Sequence, residues 1–92
     1  MIDKARLEHA QEMLRRNVAY LIHFAMWHRG VSLAELERRL EGRVTNKRLH
    51  KLMMGDSREG RISDLADIMT VLDMRIDIQV RPNEIAEGPG HA

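Results

Sequence analysis

SLAELERRLEGRVTNKRLHKL, residues 32–52, decides the fold. Its first half places leucine at 33, 36 and 40, the three- and four-residue spacing that lines one face of an α-helix. Ser32 precedes that run and Glu35 follows three places on. This is a capping-box pattern, in which the hydroxyl accepts from the third amide of the helix and the carboxylate reaches back to the cap. Glu41-Gly42 ends the run. Thr45 or Asn46 then caps a second short helix that reaches about Met54, with Leu49, Leu52 and Met53 inward and Gly55 closing it. Two capped helices joined by a short turn make a helix-turn-helix.

Working outward, the pattern stays helical as far as Asp73. Proline occurs only at 82 and 89, so nothing before Pro82 forbids helix. Val18 to His28 carries apolar residues at 18, 21, 22 and 25 on one face. Phe24, Met26 and Trp27 fall off that face, so this helix is expected to be covered on more than one side, with Trp27 in the core. Gly30 is placed to end it. Asp3 to Arg16 has Leu7, Ala10 and Leu14 at helical spacing, and Asn17 either caps a new helix or lies inside one long one. Downstream, residues 56–61 read as a polar loop. Ser63 is expected to cap a last helix, Asp64 to about Asp73, with Leu65, Ile68, Met69 and Leu72 on one face.

From Arg75 to Arg81 the period changes to two, the signature of a half-buried strand. A lone strand cannot satisfy its own backbone groups, so pairing with the same strand of a second copy is expected, with Met74, Ile76, Ile78 and Val80 at that interface. The chain thus divides into an N-terminal helical extension (1–17), a helix-turn-helix domain (18–74), a dimerising strand (75–81) and a flexible tail (82–92). The fold class is mainly all-α, with four to five helices.

Composition narrows the function classes. Ninety-two residues is one domain's worth of chain, too short to bury more than about 60–65% of its unfolded surface, so support from an oligomer is expected. The absence of cysteine excludes disulfides, thiolate chemistry and thiolate-bound zinc and favours a reducing, cytoplasmic setting. A charged N-terminus without an apolar core argues against a signal peptide, and Phe24-Ala25-Met26-Trp27 is far too short a run to span a membrane. Net charge is only +1, but it is unevenly spread. Residues 38–61 hold eight basic side chains against three acidic ones, while residues 62–92 hold two against six. A basic centre of this kind suits a polyanion.

The basic centre coincides with the second helix of the pair. Thr45, Asn46, Lys47, Arg48, His50 and Lys51 are the positions that packing does not claim, and they are polar donors at the start of a short helix. A recognition helix that enters the major groove of duplex DNA presents such a set: Asn46 suits adenine, and Lys47 or Arg48 suits guanine. A solvated basic face is the plainer alternative. Arg38, Arg39 and Arg43 are candidate phosphate contacts, although a helix C-terminus favours cations on its own account. His23 and His28 are five apart and share no i,i+4 geometry, so no metal is expected; no cofactor is implied either. Seven methionines are expected to fill the core, a methionine-lined peptide groove being the alternative. Aromatic content of 3% disfavours single-strand binding by base stacking. No phosphate loop, nucleophile elbow or cluster of titratable groups suggests an enzyme.

Four stretches together carry a family resemblance. HRGVSLAELERRL (28–40) is similar to the end of helix one and the scaffold helix of the lambda-repressor-like, Xre-type helix-turn-helix family. VTNKRLHKLMMG (44–55) resembles its recognition helix, and ISDLADIMTVLDM (62–74) its fourth helix. RIDIQVRP (75–82) resembles the C-terminal strand of HipB-type antitoxin repressors, where two copies pair across a dimer. Two features depart from the family pattern: the turn Glu41–Thr45 is two residues longer, and Glu37 stands where a small residue is usual. The resemblance implies a dimeric, autoregulatory transcriptional repressor on a palindromic operator, located with the nucleoid. It also implies phosphate contacts at Ser57, Arg58, Arg61 and Ser63. An antitoxin role, gripping a toxin protein through residues 1–16 or 82–92, is the alternative.

Overall fold

The computed structural model describes residues 2–56 and 60–82. Four helices follow in order: α1 (Lys4–Arg29), α2 (Leu33–Leu40), α3 (Asn46–Met53) and α4 (Ile62–Val71). The architecture is mainly helical, and no strand occurs among the described residues. No helix among them is long and apolar enough to cross a membrane.

Local chemistry sets most of the helix ends. Asp3 caps α1, its Oδ1 accepting from the amide of Ala5 at 3.0 Å. The helix then runs 26 residues without a break. Asn17 therefore lies inside it, and the boundary expected between 17 and 18 falls mid-helix. Gly30 takes the left-handed conformation (φ 64°), which lets its own amide reach the Trp27 carbonyl and the Val31 amide reach that of Met26. Val31 and Met26 are both buried, the apolar contact that accompanies this end. Asp73 ends α4 with the same bond pattern at φ 54°, a conformation that aspartate tolerates better than most side chains. The Thr45 hydroxyl caps α3 by accepting from the Arg48 amide at 3.2 Å.

Three expectations are corrected. Ser63 does not cap α4: the helix starts at Ile62, with Arg61 at the cap position and no side-chain hydrogen bond there. Asp64 lies inward with Ile68 and Leu72, successive turns of one helix face. Trp27 is not in the core but 78% exposed, and Leu21, expected on the inner face, is exposed as well. The methionines are divided rather than gathered inside: Met26 and Met69 are buried, whereas Met13 and Met54 face solvent.

The core joins α1, α2, α3 and α4 through Ile22, Ala25, Leu36, Leu40, Leu49, Ile68 and Leu72, most of them wholly inaccessible. Burying each such aliphatic side chain contributes about 1.5–3 kcal/mol. α1 packs against α3 and α4, and α2 packs against α4. Polar ties fix the angles. His23 donates from Nε2 to the carbonyl of Met53 at 3.0 Å, joining α1 to the end of α3. Arg39 donates to the carbonyl of Val71 at 3.2 Å, joining α2 to the end of α4. Residues 74–82 form no regular element in the single chain. Met74 and Ile76 pack on its own core, while Ile78 and Val80 are exposed.

Candidate nucleic-acid interface

The turn between α2 and α3 determines how α3 is presented. Glu41 (φ 50°) and Gly42 (φ 80°) are consecutive residues in the left-handed region, which reverses the chain sharply, and the Arg43 amide closes back on Leu40 at 2.9 Å. Val44 then drops into the core. The turn therefore has two parts, a reversal at Glu41-Gly42 and an apolar anchor at Val44. Leu49 and Leu52 hold the inner side of α3. Asn46 and His50 share one exposed stripe with Lys47 and Lys51, since each pair is four residues apart.

The candidate side chains separate into two groups. Arg48 turns inward. Its guanidinium meets both carboxylate oxygens of Asp64 on α4, with Nε at 3.2 Å from Oδ2. Asp64 is buried, so this pair is a strut between α3 and α4 rather than a free base reader. The sequence contained a signal for it: Asp64, Ile68 and Leu72 are spaced by four, which puts an acid on the apolar stripe of α4 and implies a buried cation opposite.

Arg38 and Arg39 are likewise engaged, both donating to Glu35 on α2. Ser32 caps α2 through the Glu35 amide at 3.2 Å, but the Glu35 carboxylate does not complete the reciprocal box; it holds the two arginines three and four places on. The Glu37 carboxylate of α2 lies 3.5 Å from His50 Nε2 of α3, across the turn. Among the described residues, Arg43, Lys47, Lys51 and Arg61 are exposed and make no ion pair. Ser63 is exposed on the first turn of α4. Ser57 and Arg58 lie outside the described residues.

The hydrogen bonds from Arg38, then Arg39, lower the Glu35 pKa from 4.5 to about 2. A depressed carboxylate stabilises the fold fully above its unfolded value and loses that contribution as pH falls through its folded value. The stability gap between the wild type and Glu35→Gln is therefore expected to be full at neutral pH, to narrow below about 4.5 and to close near 2. Urea melts across that range check this, and a gap that persists at pH 2 would place its cause elsewhere. The gap is small at any pH because the group is open to solvent.

No match was found in comparisons with known protein families, with characterised proteins or with solved structures.

Proposed function

We propose that this chain is a sequence-specific duplex-DNA-binding transcriptional regulator, acting as a dimeric repressor through α3. The observation that carries the reading is the outer face of α3. Asn46, Lys47, His50 and Lys51 project from a short, capped helix whose inner side is fixed by Leu49 and Leu52. A rigid rod of about 10–12 Å diameter with donors on its free face suits a major groove about 12 Å wide.

In this reading Asn46 and Lys47 meet base edges, adenine through the amide and guanine through the ammonium. Lys51, Arg43 and Arg61 neutralise phosphates and release counterions, which provides most of the affinity and makes it salt-dependent. Arg48 contributes indirectly by fixing α3 to α4. A lone module binds weakly, so two copies reading half-sites about 34 Å apart supply the usable affinity, on a palindromic operator in the nucleoid. The chemistry is recognition alone, with no covalent step.

Selection of bound duplexes from a random pool tests the proposal. The expected result is a palindromic motif with half-sites one helical turn apart, bound more weakly as salt rises. A pool that never enriches would overturn it. A second reading, an antitoxin gripping a partner protein, is favoured by the exposure of Ile2 and Leu7 at the start of α1, and it is compatible with DNA binding.

A further inference from the structure

The chain contains one tyrosine, one phenylalanine and one tryptophan, and all three stand in water on the outer face of α1. Tyr20, Phe24 and Trp27 form a continuous ladder, with ring centroids 6.3 Å and then 6.4 Å apart. His28 extends it, 5.9 Å from Phe24. The opposite side of the same helix, through Ile22, Ala25 and Met26, is the core contact. α1 is thus apolar on two faces, and the described residues cover only one of them.

The spacing of the second face identifies its partner. Ala10, Met13, Asn17, Tyr20, Phe24 and Trp27 follow alternating steps of three and four, the seam of a helix–helix pair. We infer that this seam packs antiparallel on α1 of a second copy, with the two-fold axis beside Val18 and Ala19. In that register Ala10 faces Trp27, Met13 faces Phe24 and Asn17 faces Tyr20, and each pairing occurs twice because the interface is isologous. The matches are complementary in size and chemistry: the smallest seam residue against the largest, a thioether against a ring, and an amide against a phenol hydroxyl. Leu14 flanks Leu21 of the other copy.

The surface is large enough for a stable contact. With about 200 Å² for a large side chain, Met13, Leu14, Tyr20, Leu21, Phe24 and Trp27 leave on the order of 600 Å² exposed. That is the upper end of the ~300–600 Å² found for the largest patch on a typical monomer, and close to the ~800 Å² that each partner gives to a stable interface. The 26-residue helix is about 39 Å long, so the seam from Ala10 to Trp27 fits within it. The inference stands independently of what α3 binds, and its test uses no nucleic acid.

Sedimentation equilibrium of the full chain is expected to show a dimer at micromolar concentration. Trp27 reports the same event, because its emission moves to the red on dilution as the indole is released to water. Trp27 and Tyr20 are 78% and 66% exposed in the single chain, so Trp27→Glu and Tyr20→Glu leave the fold intact, which far-ultraviolet dichroism checks. Each is expected to weaken the dimer by about 100-fold. Ile78→Pro, aimed at the 75–81 segment, leaves the dimer in place.

Register is tested by single cysteines in this cysteine-free chain. Met13→Cys mixed with Phe24→Cys forms a cross-chain disulfide on mild oxidation, whereas each alone does not. A monomeric wild type overturns the inference, as does a dimer that survives both glutamate variants. Loss of the dimer in Ile78→Pro, or a disulfide formed by Met13→Cys alone, overturns it as well. A wild type that associates only with another protein would give the face to that protein.

Discussion

Replacing Arg48 by alanine is expected to lower stability by about 3 kcal/mol, read as a shifted urea midpoint. Removing one partner of a buried ion pair costs about 3–5 kcal/mol, because the other charge is left without compensation in a poor solvent. Here the stranded group is the carboxylate of Asp64, which is 3% exposed. Arg48 keeps about a third of its side chain in water, which places the pair at the lower end of that range. A domain of this size has only about 5–15 kcal/mol of total stability, so the variant sits near the threshold of folding.

The double replacement Arg48→Met with Asp64→Leu separates strut from reader. Exchanging a buried pair for apolar groups of similar volume is often neutral, so most of the lost stability should return. If Arg48 only holds α3 against α4, the double variant also keeps its sequence preference. A folded double variant that has lost preference at one base position would return Arg48 to the group that contacts DNA.

That distinction marks where the sequence stops being readable. Ser32, Thr45, Gly30 and Gly55 are legible as helix ends because capping is local: the hydroxyl or the positive φ acts on amides a few residues away. Periodicity placed Leu36, Leu40, Leu49 and Ile68 inside for the same reason. Arg48 could not be placed locally, since its partner lies sixteen residues on, in a different helix. The misplacement of Trp27 has a different cause. An apolar stripe at helical spacing states that a face avoids water, not whether the covering surface belongs to the same chain. Tyr20, Phe24 and Trp27 carry that ambiguity, and only the three-dimensional arrangement of α3 and α4 on the other side of α1 removes it.

The largest effect on binding is expected from Lys47→Ala with Lys51→Ala. Neither side chain touches the core, and neither makes an ion pair among the described residues, so the fold has little to lose. Lys51 lies in the last turn of α3, where a cation contributes only about 0.3–1 kcal/mol through the helix dipole. On duplex DNA the loss is counted differently. Two copies lose two phosphate contacts, one from each Lys51, so the slope of log K against log salt should flatten by about 2, at ~0.9 per phosphate neutralised. Affinity at moderate salt should fall by at least about 100-fold, each contact being worth about 1–3 kcal/mol. Fluorescence anisotropy with a labelled duplex at several salt concentrations measures both quantities. Arg43 and Arg61 provide the comparison, since their removal should weaken all sequences alike. Lys47 should also change which base is preferred. An unchanged slope in the double lysine variant would mean that α3 meets no polyanion, and the basic stripe would then be only a solvated helix face.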